Sequence, residues 1–172
     1  LLDYESHRML QHYTRTLNHL YLETPALWEN DFSWDGFSWI AHDDYSQSVI
    51  VFRRIDQKGK ELLVVCNFTP VQRTGYRIGA PVLGSYTEVF NTDQLEFGGS
   101  GVLNGTLDSE PVPMHGFPQS LSLTLPPLSV LYFRLKKAKA LPKAKTPRKT
   151  AGTRRASAKK AAVPAVSEST ES

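Results

Sequence analysis

Asp31, Asp35, Asp43 and Asp44 form the densest carboxylate cluster of this 172-residue chain. Retaining glycoside chemistry needs two carboxylates about 5 Å apart, one as nucleophile and one as general acid and base. These four fall in a stretch that reads as a turn-rich connection, with no apolar pocket around them to raise one pKa above another. No catalytic residue is assigned. His42-Asp43-Asp44, and His115 near Glu110, are of metal-ligand type. Adjacent residues point in different directions, however, and no second pair stands at ligand spacing, so no metal is expected. Ser100 in Gly98-Gly-Ser-Gly101 lacks the wider frame of a nucleophile elbow. Nor does that glycine run follow a strand and open a helix, as a phosphate loop would.

The aromatic residues carry a stronger signal. Trp28, Trp34 and Trp39 all fall within twelve residues, interleaved with Phe32 and Phe37. Flat aromatic faces suit the apolar face of a glucose ring, while nearby Asp, Asn and Gln address its hydroxyls. Large aromatics at a seam between elements also serve as packing, and the two roles compete here. Trp39 leads the candidates for a sugar contact, with Trp34 and Phe37 beside it.

A helix is expected over Glu5–Leu22, where Leu10, Tyr13, Leu17 and Leu20 line one face and Arg8, Gln11 and Arg15 lie off it. Glu23-Thr-Pro25 should end it, because the residue before proline is pushed out of the α region. The period then changes. Gln47–Arg54, Lys60–Phe68, Arg73–Ile78, Ser85–Phe90, Leu121–Leu125 and Leu128–Leu135 read as strands divided by turn-formers. Strands at short spacing with no helix between them imply antiparallel pairing, in a sandwich or barrel. Leu62–Val65 should be central, and Ser120–Leu125 should have one wet face. Asn91–Gln119 reads as a long excursion held down by Phe97, Val102 and Leu103.

Charge divides the chain. From Lys136 onward eleven Lys and Arg face two Glu, a net of +9, which leaves residues 1–135 at −6 with nine basic and fifteen acidic side chains. The 136–172 segment is rich in Lys, Ala, Pro, Ser and Thr, and is expected to be disordered. Such a basic tail could bind nucleic acid through counterion release, or act only as a solubilising extension. The single cysteine, Cys66, cannot form an internal disulfide, which suits a reducing compartment. Asn67-Phe-Thr and Asn104-Gly-Thr match a glycosylation sequon by accident. No signal peptide is visible and no apolar run approaches the roughly 20 residues of a membrane helix, so a cytoplasmic protein is expected.

Four ordered blocks tie these elements to a known family: Gly36-Phe-Ser-Trp-Ile40, Ser48–Arg54, Val65-Cys-Asn-Phe-Thr-Pro70 and Ser120–Leu128. Asn91-Thr-Asp93, Gly98-Gly-Ser-Gly101 and His115-Gly116 add to them. Together they resemble the carboxy-terminal part of bacterial 1,4-α-glucan (glycogen) branching enzymes of the α-amylase clan. The resemblance runs from Leu1 to about Leu135, and Trp28 departs from it where many members have histidine. It implies that residues 1–27 are the last helix of a catalytic (β/α)8 barrel, 28–135 an all-β sandwich, and 136–172 the tail. It implies a fragment whose catalytic carboxylates lie upstream, inactive alone. The parent would transfer an α-1,4-glucan segment to a 6-hydroxyl through a covalent glycosyl-enzyme, with no cofactor. Expected partners are an α-glucan and the rest of the barrel. The rival reading is a free-standing β-sandwich carbohydrate-binding module with a nucleic-acid-binding tail.

Overall fold

The computed structural model describes residues 2–139. Helix α1 spans Glu5–Glu23, contains neither Gly nor Pro, and stops at Thr24, the residue before Pro25. A 3₁₀ turn over Pro25–Leu27 and another over Trp34–Gly36 lead into the strands. These are β1 (Phe37–Asp44), β2 (Val49–Ile55), β3 (Glu61–Asn67), β4 (Arg73–Ala80), β5 (Gly84–Asn91), β6 (Thr106–Asp108), β7 (Gln119–Leu125) and β8 (Ser129–Ala138). One sheet has the order β1-β2-β3-β8-β5-β6 and the other pairs β4 with β7, with every pairing antiparallel. The fold is therefore mainly β, an antiparallel two-sheet architecture with one helix in front.

The residue alternation of β3 explains the layering. Leu63 and Val65 face inward and join Val49, Val51, Leu131 and Phe133 against Ile78, Leu121, Leu123 and Leu125 of the smaller sheet. Leu62, Val64 and Cys66 point to the other face, with Ile50, Phe52, Val89, Val130 and Tyr132, under Ala26 and Leu27 of the first 3₁₀ turn. β3 is thus covered on both faces, as its unbroken apolar run requires. Burial of each large aliphatic contributes about 1.5–3 kcal/mol, so the inner layer dominates the stability. Burial also pushes the Cys66 thiol up to about 11.

Helix α1 docks through one stripe. Tyr13 meets the rings of Phe90 and Phe97 at 5.9 and 5.4 Å, and His12 Nε2 lies 3.1 Å from Glu96. Arg134 donates to Thr24 Oγ1 just past its end. The half-buried stripe is Met9, Tyr13, Leu17 and Leu20. Leu10, expected in it, is 60% exposed instead, and Met9 takes its place, its sulfur lying towards Gly98.

Two strands went unanticipated. β1 occupies what read as a turn-rich connection, and β6 lies inside the 91–119 excursion. The excursion is held less by apolar anchors than by carboxylates. Glu88 accepts from Asn91 Nδ2, Asn104 N and Asn104 Nδ2, and Asp93 accepts from Ser100 N, Ser100 Oγ and Val102 N. The 98–101 glycines let the chain wrap this closely: a Cβ on Gly99 would lie 2.3 Å from Asp93 backbone atoms. Phe97 and Val102 are half-buried, whereas Leu103 is exposed.

The other blocks also have structural reasons. Asn67 is buried between two turns, its Nδ2 donating to Val71 O and Pro126 O while its Oδ1 accepts from Thr69 N and Oγ1. One side chain thus joins the Val65–Pro70 block to the end of the Ser120–Leu128 block. Asn104 is similarly engaged with Thr124 O and N. His115 and Gly116, with φ of 49° and 79°, turn Met114 back onto Phe117, the double positive φ of a tight hairpin turn. At the far end, β8 pairs Lys137 and Ala138 with Ser85 and Gly84. The sheet therefore extends past residue 135, where the tail was expected to begin. The remainder of the expected disordered tail lies outside the described residues.

Candidate functional site

The pairing of β1 with β2 sets Trp39 opposite Phe52 and Phe37 opposite Arg54. Period-two alternation puts both β1 aromatics on the outer face. Register irregularities on either side of Ala41 let both Ile40 and Ala41 enter the core. His42 is thereby released towards Trp39. The outcome is a four-ring cluster on an edge strand: Trp39 meets Phe37 edge-on at 4.9 Å and Phe52 edge-on at 6.0 Å, and lies nearly parallel to His42 at 5.7 Å. Trp39 remains 46% exposed. Phe37, half-buried and 5.4 Å from Phe52, supports it from the side.

The segment leading into β1 is fixed to the end of β2. Arg54 donates to Ala26 O and to Asp31, Asn30 Nδ2 donates to Ile55 O, and Glu29 accepts from Gln57 N. Gly36 is packed so closely on Asn30 that a Cβ there would come within 2.1 Å of Asn30 O. Trp34 is held on this segment, 85% exposed, and makes no ring contact among the described residues. Trp28 and Phe32 are exposed as well. The five clustered aromatics of the sequence therefore separate: Phe37 and Trp39 come together, and the other three do not join them. Phe52 and His42 were missed as members. Only the strand register brings Phe52 alongside, and only the irregularity in β1 turns His42 over.

The acidic cluster disperses. Asp31 pairs with Arg54. Asp44 accepts from Tyr76 Oη at 2.8 Å, from Ser46 Oγ, and from the side chain and N–H of Gln47. Partial burial raises the Asp44 pKa, but these hydrogen bonds and nearby Arg73 outweigh it and hold the carboxyl below its ordinary value. Burial and the same Asp44 bond push the Tyr76 phenol well up. Both carboxylates are engaged in structural bonds, and Asp35 and Asp43 are exposed. His115 Nδ1 accepts from Gly79 N, burial lowering its pKa, while Glu110 pairs with Arg77. No group of three or more His, Cys, Asp or Glu suited to a metal occurs among the described residues, and none of their helices is long and apolar enough to cross a membrane. What this face offers is a partly exposed aromatic surface for stacking, with His42 beside it.

The all-β architecture has a counterpart in a known class. The family model described as the alpha amylase C-terminal all-beta domain matches residues 39–136, and the chain belongs to that family. Within it, the sequence is similar to the 1,4-alpha-glucan branching enzyme GlgB of Aquifex aeolicus, 51% identical over 136 residues, which are 78% of this chain and 22% of that protein. The GlgB of Halothermothrix orenii is 45% identical over 136 residues, again 78% and 22%. That of Rubrobacter xylanophilus is 49% identical over 135 residues, 78% of this chain and 19% of that protein. The chain thus spans about a fifth of the length of these curated relatives, over a part made of an all-β domain and the helix before it.

Proposed function

We propose that this chain is the carboxy-terminal part of a 1,4-α-glucan branching enzyme. The whole protein would cleave an α-1,4 link and transfer the released segment to a 6-hydroxyl, forming α-1,6 branches in glycogen synthesis. The observation that carries this reading is the 51% identity over 136 residues, 78% of this chain. Here the piece does no bond-breaking. It supplies residues 1–27, with α1, as the last helix of a catalytic barrel and holds α-glucan on the β1 edge.

The outward face of α1 supports the barrel contact, since Leu10, Tyr21 and Leu22 stand exposed on it. Trp39 supports the glucan contact, because its ring is held in place by three neighbours and still about half exposed. Phe37 acts as its buttress, and Trp34 offers a second, separate ring. A lone, buried thiol at Cys66 suits a cytoplasmic setting.

The test is the mass of the native protein, detected in its source cells with an antibody against residues 28–135. A species several-fold larger than 19.3 kDa, whose purified form changes the iodine colour of amylose by branching, is expected. A 19.3 kDa species with no branching activity in any associated fraction would overturn the proposal in favour of a separate binding module.

A further inference from the structure

Asn104-Gly105 is the one Asn-Gly step in the sequence, and such a step carries a reaction of its own. The backbone nitrogen of the second residue can attack the asparagine side-chain carbon, Cγ. With glycine there, no Cβ obstructs the approach and the backbone bends freely towards it, at a residue type already thermolabile. The new C–N bond closes a five-membered succinimide. The side-chain nitrogen leaves as ammonia, taking the proton of the attacking N–H. Water then opens the ring at either carbonyl and leaves aspartate or isoaspartate. Water is the only reagent consumed.

The fold holds both reacting groups. The leaving nitrogen, Asn104 Nδ2, donates to Glu88 Oε1 at 3.1 Å and to Thr124 O at 3.0 Å, while Oδ1 accepts from Thr124 N at 2.8 Å. The attacking group, Gly105 N–H, donates to Glu88 Oε2 at 3.4 Å, and Asn104 N donates to the same oxygen at 2.8 Å. One carboxylate therefore grips nucleophile and leaving group at once. For the reaction, the Asn104 side chain must leave three hydrogen bonds. Gly105 N must also give up its proton beside a negative charge, which disfavours the anion formed. Water has access, since Gly105 is exposed and Asn104 half-buried. The bonds, not burial, hold the reaction back.

Those bonds also strap the two sheets together. Asn104 lies between β5 and β6 of the larger sheet, and Thr124 lies on β7 of the smaller one. The Asn104 amide meets both Thr124 N and Thr124 O, as the peptide of a neighbouring strand would. Aspartate at 104 would put an oxygen where Nδ2 stood, facing the Glu88 carboxylate and the Thr124 carbonyl. Like charges would share one site and acceptors would face acceptors, a costly arrangement. Isoaspartate would instead lengthen the backbone by one carbon just before Gly105, whose carbonyl accepts from Glu88 N at 2.7 Å.

We infer that Asn104 is a site of spontaneous deamidation, held back by Glu88 and Thr124, whose conversion unfastens the 91–105 loop from β7. Opening of the loop frees nucleophile and leaving group together, so the extent of conversion records how often the loop has opened. The inference stands apart from the branching-enzyme reading, because it uses only this chain and water.

The test is peptide mapping by mass spectrometry of the full chain after incubation in mildly alkaline buffer, with and without guanidinium chloride. Conversion of Asn104 to a mixture of aspartate and isoaspartate is expected, at least about tenfold slower in the folded chain than in denaturant. Glu88→Gln sets a donor beside Nδ2 and should speed conversion several-fold at a temperature where circular dichroism shows the variant folded. Asn104→Asp should lower Tm by about 3–8 °C. Should that variant not fold, the aged parent chain, separated from the fresh one by ion exchange, gives the same comparison. Equal rates with and without denaturant would overturn the protective role of Glu88 and Thr124. An absence of conversion at Asn104 in denaturant would overturn the site itself. A Tm unchanged by the acid at 104 would overturn its role as a strap.

Discussion

The two faces of the six-stranded sheet have the same strands behind them and opposite uses in front. On the inner face Val51, Leu63, Val65, Leu131 and Phe133 are sealed beneath β4 and β7, with essentially no exposure. On the outer face Ile50, Phe52, Val130 and Tyr132 are covered only in part, by the 25–27 turn, with α1 reaching Phe90 beside Tyr132. At the β1 edge Phe37 and Trp39 extend beyond that cover. The difference separates the face that makes the fold from the edge proposed above to meet glucan.

The comparison can be broken most sharply by truncation. Phe133→Ala should cost about 3–5 kcal/mol through loss of buried surface and a residual cavity. Val130→Ala, on the same strand but the outer face, should cost about 1 kcal/mol or less. Urea unfolding monitored by circular dichroism measures both, and equal losses would mean that the outer face is as much a core as the inner.

A smaller effect is expected at Asp93. Burial raises its pKa, but the bonds from Ser100, Val102 and Gly101 overcome this and leave it depressed. A depressed folded-state pKa gives stability that is complete above the ordinary aspartate range and is lost as pH falls through the folded value. Asp93→Asn should therefore cost about 1–2 kcal/mol at neutral pH, and the gap from the parent should close in acid. A gap that stayed constant from pH 7 to pH 3 would show that the charge is not what holds the 91–105 loop.

The smallest stability change is expected at the open edge. Trp39→Ala should alter stability by under about 1 kcal/mol and yet weaken amylose binding in affinity electrophoresis. A large fall in Tm with unchanged retention would move Trp39 to the packing side of the comparison.

Much of this was legible in advance. The helix and its end at Thr24, the strands that became β2 and β3, and the centrality of β3 all follow from local pattern, because apolar periodicity and proline sterics act within a few residues. The blocks around Asn67, Asp93 and His115 were visible as blocks, though not as clamps. Their hydrogen-bond partners lie as far away as Pro126 and are adjacent only in space.

What the sequence by itself determined was which segments alternate, which are apolar throughout, and where turns must fall. Tertiary structure decided the rest. It pulled β1 out of what looked like a connection, because its pairing with β2 outweighs a weak local signal. It turned the dock of α1 from Leu10 to Met9, because Phe90 and Phe97 fix where the helix can rest. It also divided five clustered aromatics into a braced pair and three separate rings, since strand register, which no single segment encodes, chooses each side chain's neighbours.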